Sequence, residues 1–216
     1  NSILEIDESD KVLSHELFQG GDKEAYNMST DIFVVDTPFL IEKLEEEAAK
    51  EEPRKLRYVL RDLAVAENAF AYEYTGYLSN IHSVKAYFDA NLDMLESHKF
   101  YKLFAPNQKV YTKVKNEEPT YYSDSSEVKL SQFASGSIVR GKVENSVISR
   151  NVDLSEGSSV SHSILFPRVK VAKGATVEYA IVDKGVEIAE GVTIRGTENN
   201  PVVIKKGSVV TEDIVR

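Results

Sequence analysis

A repeated six-residue spacing of branched aliphatic residues dominates the second half of this 216-residue chain and constrains its fold more than any other feature. From Ile148 onward the steps between these residues read six, six and five, and the same group of steps then repeats. The aliphatic positions are Ile138, Val143, Ile148, Leu154, Val160, Leu165, Val171, Val177, Val182, Ile188 and Ile194. Two residues before each position from Ile148 on stands a small or β-branched residue: Ser146, Val152, Ser158, Ser163, Val169, Ala175, Ala180, Val186 and Val192. This arrangement is the hexapeptide pattern.

The hexapeptide pattern predicts a solenoid, because a step of six matches neither the two-residue period of a strand nor the 3.6-residue period of a helix. Three steps close a triangular coil of seventeen residues, and Gly157, Gly174 and Gly191 recur at that interval. Short fixed repeats are typical of stacked coils. We therefore predict a left-handed parallel β-helix. Antiparallel hairpins are less favoured, because the sequence lacks alternation at two residues. A break at Thr197 to Pro201 predicts a loop, and the pattern resuming at Ile204 predicts a partial last coil.

The first half of the chain alternates strand and helix signals, which predicts a partial α/β layered domain. The apolar run from Asp31 to Val35 and the Tyr- and Phe-rich stretch from Ala69 to Leu78 are predicted strands. Helices are predicted after Pro38, after Pro53 and from Ser83 to Glu96, where apolar residues recur at helical spacing. These elements are too few to complete a sheet of ordinary size.

The predicted elements divide the chain into three parts. Residues 1–104 form the partial α/β domain, residues 105–130 form a polar connector with two prolines, and residues 131–216 form the β-helix. The connector is predicted from its turn-forming composition.

Composition and charge restrict the classes of function. The net charge of −9 comes from residues 1–104, with 21 acids and 11 bases, whereas the remainder has 14 acids and 15 bases. Neither part has the basic patch expected of a nucleic-acid partner. No apolar run is long enough to cross a membrane, and the absence of cysteine is compatible with a cytoplasmic protein. Arg168 and Lys170 are possible contacts for the phosphate of an effector, although solvent-exposed corners of a coil are the favoured explanation for both residues.

Four segments carry a resemblance to a known family. They are Gly76-Tyr77-Leu78-Ser79-Asn80-Ile81, the helix segment from Ala90 to Leu95, and the β-helix segments from Leu165 to Val171 and from Ala180 to Ile188. Their order and sequence resemble glucose-1-phosphate adenylyltransferase, also called ADP-glucose pyrophosphorylase. The resemblance covers nearly the whole chain, and it implies that residues 1–104 are the C-terminal part of a nucleotidyltransferase-like domain. It also implies that the family's glycine-rich nucleotide loop lies before residue 1.

The departures from this family concern its metal and sugar-phosphate positions. Where catalytic members carry an acid that helps to hold Mg²⁺, this chain has the neutral Asn80. No Glu-Lys pair stands near Leu17-Phe18-Gln19, and Ser29-Thr30-Asp31 replaces the family's Ser-Met-Gly. The resemblance therefore implies a degenerate metal position at Asn80 and degenerate substrate positions at Ser29 and Asp31. It implies no catalytic residue and no cofactor in this chain, and Mg²⁺ only in the catalytic members.

Three functions are compatible with these residues. The leading hypothesis, which rests on the resemblance, is a non-catalytic or weakly catalytic subunit that accompanies a catalytic adenylyltransferase subunit in bacterial glycogen synthesis, in a homo- or hetero-oligomer. The second is a fragment of an active sugar-phosphate nucleotidyltransferase. The third is a hexapeptide-repeat acyltransferase, for which His162 is the candidate catalytic histidine, although the α/β half has no place in that scheme.

Overall fold

The structure is a computed structural model that describes residues 2–20, 25–105, 109–113 and 115–216. The chain forms two compact units, Asn1–Thr75 and Gly76–Arg216. This division differs from the boundary at residue 104 predicted from the sequence, because the helices between residues 84 and 103 belong to the second unit. Among the described residues, no helix combines the length and the apolar composition needed to cross a membrane.

Unit 1, residues 1–75, contains a three-stranded antiparallel sheet and two helices. The sheet has the order β2-β1-β3, with strands β1 (Ser2–Ile6), β2 (Val12–Leu17) and β3 (Asn27–Ser29). The helices are α1 (Thr37–Ala48) and α2 (Leu56–Ala66), and α2 packs against β2. Asp36 starts α1, because its side chain accepts a hydrogen bond from the backbone N–H of Phe39 at 3.1 Å.

The predictions of two strands, at Asp31 to Val35 and at Ala69 to Leu78, are wrong. The run from Asp31 to Val35 is irregular and largely exposed, with Val34 fully exposed, and the segment after Ala69 contributes only an isolated bridge between Phe70 and Lys11. Both segments have the composition of buried strands, but the described residues provide no neighbouring strand to pair with them. A strand needs a partner as well as an apolar sequence, and sequence composition does not report the partner.

Unit 2, residues 76–216, begins with helical segments that pack on the solenoid. These are α3 (Val84–Leu92), a short 3-10 helix (Asp93–Leu95) and α4 (Ser97–Leu103). Ser83 caps α3 by accepting a hydrogen bond from the Ala86 N–H at 3.1 Å. Phe88 of α3 is 1% exposed and packs against Ile164 and Ile181 on the outer surface of the solenoid. This contact fixes α3 on one face of the repeat.

Three parallel sheets form the solenoid, and they confirm the predicted parallel β-helix. The first sheet consists of Tyr121–Tyr122, Ile138–Val139, Asp153–Leu154, Lys170–Val171, Glu187–Ile188 and Val209–Val210. The second sheet consists of Glu127–Lys129, Lys142–Glu144, Ser159–Ser161, Thr176–Glu178, Thr193–Arg195 and Ile214–Val215. The third sheet consists of Gln132–Phe133, Val147–Ile148, Ile164–Leu165, Ala180–Val182 and Val202–Ile204.

The predicted aliphatic ladders form the core of this β-helix. Each ladder position lies directly over its equivalent in the next coil, as Val160 lies over Val177 and Val177 over Ile194. The fully buried members among the predicted positions are Val143, Leu154, Val160, Leu165, Val177, Val182 and Ile194. The predicted position Ile138 is wrong, because its neighbour Val139 is fully buried and lies in register with Leu154. Buried serines bind neighbouring coils together as well, since the Ser163 hydroxyl accepts a hydrogen bond from the Ala180 N–H at 3.1 Å.

The corners of the coils explain the glycine spacing. Gly157, Gly174 and Gly191 have φ values of 70°, 68° and 71°, which glycine adopts without the steric cost that other residues bear. The predicted break is also present, since Thr197 and Asn200 form an isolated bridge before the partial last coil. The solenoid begins at Tyr121, within the segment expected to be a connector, and this earlier start adds a coil that the ladder pattern does not reveal.

Candidate functional site

Asp31, a predicted substrate position, forms an ion pair with Arg61 of α2. The Arg61 guanidinium donates to both carboxylate oxygens, from Nη2 to Oδ2 at 2.7 Å and from Nε to Oδ1 at 3.2 Å. The Arg61 side chain is 9% exposed, whereas the Asp31 side chain is 37% exposed. These hydrogen bonds lower the pKa of Asp31 below its usual value, so the carboxylate is negatively charged at neutral pH.

Ser29, the other predicted substrate position, lies at the end of β3 and shapes the turn that leads to Asp31. Its hydroxyl accepts a hydrogen bond from the Asp31 N–H at 3.1 Å. Asp31 itself has a φ of 55°, in the region where glycine is favoured. The sequence places these two residues side by side, but it gives no sign that Arg61, thirty positions later, neutralises the carboxylate.

Asn80, the predicted degenerate metal position, lies in an irregular and exposed part of unit 2. Its backbone carbonyl accepts a hydrogen bond from the His82 N–H at 3.1 Å and lies 3.1 Å from Nδ1 of His82. Within residues 2–20, 25–105, 109–113 and 115–216, no group of three or more His, Asp or Glu side chains is arranged to hold a metal ion. The degenerate metal position at Asn80 stays a prediction.

Two acids of the neighbouring 3-10 helix segment are engaged in local contacts. The Tyr77 hydroxyl donates to Asp93 at 2.9 Å, and the Lys99 ammonium group donates to Asp93 at 2.6 Å and to Glu96 at 2.8 Å. These contacts raise the pKa of Lys99 above its usual value, chiefly through the hydrogen bond to Asp93. The cluster fastens the segment after Gly76 to the helices of unit 2.

Arg168 and Lys170 lie near one corner of the β-helix, and they differ in their charge contacts. Lys170 forms an ion pair with Glu187 of the next coil, with 2.7 Å between Nζ and Oε1. Arg168 is exposed at a corner with a φ of 64°, and its backbone N–H donates to the Arg150 carbonyl. Lys170 is thus partly neutralised by its own solenoid, while the charge of Arg168 stays on the surface. Their proposed contact with an effector phosphate stays a prediction.

His162 lies at a corner of the β-helix that faces α3. Its ring stacks on Tyr179 of the next coil, with 4.8 Å between ring centroids, and its Nε2 lies 3.2 Å from the amide nitrogen of Asn145. His162 and Tyr179 line a cavity of about 290 Å³ together with Phe88, Asp89 and other residues of the helices. His162 therefore faces α3 of the same chain. In a hexapeptide-repeat acyltransferase, this histidine would have to face a second β-helix.

We expect Phe88→Ala to detach α3 from the β-helix while the coils stay folded. The substitution removes a nearly fully buried ring from its contacts with Ile164 and Ile181, and such truncations cost about 3 kcal/mol or more. Hydrogen exchange should show faster exchange in residues 84–95 and unchanged protection in residues 138–194. Tyr101→Ala removes a ring that is 64% exposed and serves as the control. Equal effects of both variants would contradict the assigned packing.

Comparisons with known proteins bear on both halves of the chain. Residues 120–211 match the family model described as GlmU-like, C-terminal hexapeptide. The glycogen biosynthesis protein GlgD of Bacillus subtilis (strain 168) is 34% identical over 197 residues, which is 91% of this chain and 55% of that protein. GlgD of Geobacillus stearothermophilus is 53% identical over 127 residues, which is 59% of this chain and 37% of that protein.

Glucose-1-phosphate adenylyltransferases also match part of the chain. The glucose-1-phosphate adenylyltransferase of Mycoplasma mobile (strain ATCC 43663 / 163K / NCTC 11711) is 31% identical over 105 residues, which is 49% of this chain and 27% of that protein. The chain spans about half the length of the Bacillus subtilis protein. The resemblance predicted from the residues is therefore confirmed, and this chain is similar to the GlgD glycogen biosynthesis proteins and to the glucose-1-phosphate adenylyltransferases.

Proposed function

We propose that this chain is part of a non-catalytic or weakly catalytic regulatory subunit of glucose-1-phosphate adenylyltransferase, acting in the cytoplasm in bacterial glycogen biosynthesis. The similarity to GlgD over 91% of the chain is the observation that carries the proposal. The catalysed reaction would be the formation of ADP-glucose and diphosphate from ATP and glucose 1-phosphate, performed by a partner subunit. Mg²⁺ would serve that partner rather than this chain.

The residues at the family's metal position support a loss of catalysis. Asn80 offers a neutral amide where a hard divalent cation favours carboxylate oxygen. Nucleotidyl transfer depends on a metal that neutralises charge developing on the phosphates. With Asn80 in this position, metal binding would be weaker and the transition state less stabilised.

The contacts of Asp31 support the same interpretation at the sugar-phosphate position. The resemblance aligns Asp31 with a glycine of the catalytic members, and its positive φ fits that alignment. Its carboxylate adds a negative charge near the place implied for a phosphate, and like charges repel at short range. The same carboxylate accepts two hydrogen bonds from Arg61, so the positive charge of Arg61 is already neutralised within the chain. Both effects would weaken the binding of glucose 1-phosphate.

The proposed partner is the catalytic adenylyltransferase subunit, in a homo- or hetero-oligomer. In this proposal the chain belongs to a longer protein, which we call the full-length parent. We expect the tagged full-length parent to copurify with a coexpressed catalytic subunit and to change that subunit's kcat or its KM for glucose 1-phosphate. Size-exclusion chromatography with light scattering and a coupled assay for diphosphate would measure both effects. The controls are the catalytic subunit alone and the tag alone. A catalytic subunit that elutes and turns over identically with and without the parent would contradict the proposal.

A fragment of an active nucleotidyltransferase is the second candidate, and its support is the similarity to the adenylyltransferase of Mycoplasma mobile. The two candidates differ in the turnover of the full-length parent purified without any partner. The regulatory subunit would turn over poorly by itself, whereas the active enzyme would need no partner.

A further inference from the structure

His15 lies at the centre of a polar cluster in unit 1, which we call the His15 cluster and define as Ser2, His15, Asp31 and Arg61. Nε2 of His15 lies 3.0 Å from the Ser2 hydroxyl and 3.8 Å from Oδ1 of Asp31. Asp31 in turn accepts the two hydrogen bonds from Arg61 and lies 3.5 Å from the Ser2 hydroxyl. The cluster connects β1, β2, α2 and the segment after β3.

The imidazole of His15 is almost completely removed from water. Its side chain is 1% exposed, and Ser2 is also 1% exposed. Within the part of the chain that the structure describes, the buried Nδ1 of His15 has no hydrogen-bond partner. The aromatic ring of Phe33 lies beside it, with 6.2 Å between the ring centroids of His15 and Phe33.

A neutral imidazole fits these surroundings better than a charged one. Protonation would make both ring nitrogens donors, and the second N–H would have no acceptor beside it. The charged groups that face His15 are Arg61 from α2 and Asp31 from the segment after β3, and Arg57 of α2 acts on Asp31. Burial lowers the pKa of His15 below its usual value, and the positive charge of Arg61 lowers it further, while Asp31 partly opposes both effects.

We propose that the His15 cluster is an acid-sensitive latch, which holds β1, β2 and α2 together near neutral pH and loosens them at mildly acidic pH while the β-helix stays folded. Protonation would draw the imidazolium toward Asp31 and place it in competition with Arg61 for that carboxylate. The contact of His15 with Ser2 would then be lost, and β1 would lose one of its connections to β2. This device is independent of the proposed regulatory role.

The direction of the pH effect follows from proton linkage. A base whose pKa is lower in the folded state binds fewer protons there than in the unfolded state, so stability falls as pH decreases. For a histidine with an unfolded pKa near 6.5, the stabilisation is complete above that value and is lost as the pH falls below it. Between pH 7.5 and 5.5 the loss for one buried histidine is at most about tenfold in the opening equilibrium. Carboxylates contribute little in this window because their unfolded pKa values are near 4.

Hydrogen exchange on the 216-residue chain tests the latch. After correction for the intrinsic exchange rates, we expect protection in residues 2–17 to fall by about threefold to tenfold between pH 7.5 and 5.5. Protection in residues 138–194 should not change over the same range. In His15→Gln the protection of residues 2–17 should become independent of pH. His98→Gln, which replaces a histidine with a 66% exposed side chain, should behave like the unsubstituted chain.

Two outcomes would overturn the latch. One is protection of residues 2–17 that does not vary with pH in the unsubstituted chain, and the other is the same pH dependence in His15→Gln. A direct titration of the His15 ring by NMR in the unsubstituted chain keeps the test decisive if His15→Gln does not fold. We expect a midpoint below 6.5, and a midpoint at or above 6.5 would sink the proposal.

Discussion

Val177→Asp is expected to unfold several coils of the β-helix together. Val177 is fully buried, and its neighbours in register are Val160 in the preceding coil and Ile194 in the following one. A carboxylate at this position would be surrounded by aliphatic side chains with no partner, and its burial would cost at least about 4 to 5 kcal/mol. Each coil of a solenoid is stabilised by its neighbours, so the damage should spread along the ladder. Denaturant unfolding followed by circular dichroism would measure the loss.

The control for this substitution changes the same residue type at an outward position. Val209 lies in the first sheet with 68% of its surface exposed, so a carboxylate there stays hydrated. We expect Val209→Asp to change stability by less than about 1 kcal/mol. If the Val177→Asp variant unfolds at the same denaturant concentration as the unsubstituted chain, the assigned ladder register is wrong.

The β-helix could be predicted because each coil repeats one physical requirement. Ladder positions such as Leu165 and Val182 must be aliphatic, and corner positions such as Gly174 must adopt a positive φ. The first coil departs from both requirements. It places Tyr122 and Val128 in register with ladder positions, but both side chains are more than 40% exposed at the open end of the solenoid. Because this first coil has no buried ladder and no corner glycine, the repeat pattern does not reveal it.

The partial α/β half was less predictable because its strands depend on distant partners. The helices after Pro38 and Pro53 are present, since their signals are local. The candidate site shows the same limit, because Asp31 and Arg61 are thirty residues apart and only the fold brings them together. The burial of His15 beside Ser2 is likewise a product of the β1–β2 register, in which His15 lies opposite Leu4. No local pattern in the sequence marks these contacts.

The full-length parent, purified without a catalytic partner, is expected to make ADP-glucose poorly. The resemblance implies that Asn80 takes the place of a charged metal ligand, and a neutral amide there would weaken the stabilisation of charge in the transition state. The resemblance also implies that the family's Glu-Lys pair, which binds the sugar phosphate, would stand near Leu17 and Phe18, and this chain has no such pair there. Leu17 and Phe18 are 56% and 40% exposed at the end of β2. Each charge-assisted hydrogen bond lost in this way costs about 1.5 to 3 kcal/mol.

Restoring the metal ligand alone should recover little activity. Independent losses add in free energy and multiply in rate, so Asn80→Asp leaves the deficit at the sugar-phosphate position in place. In that variant the carboxylate of Asp31 would also still form its ion pair with Arg61. We expect a double variant that carries Asn80→Asp and Asp31→Gly to gain more turnover than either single variant. Steady-state assays of the single and double variants of the parent would measure this comparison.

The turnover number of the parent by itself tests the proposed regulatory role most directly. The assay would supply ATP, glucose 1-phosphate and Mg²⁺ at saturating concentrations to the parent alone, after mass spectrometry has shown that no catalytic subunit copurifies. The proposed role predicts turnover below about 0.01 per second, a hundredfold under the lower end of the typical range. Turnover between about 1 and 1000 per second would contradict that role and establish an active nucleotidyltransferase in its place.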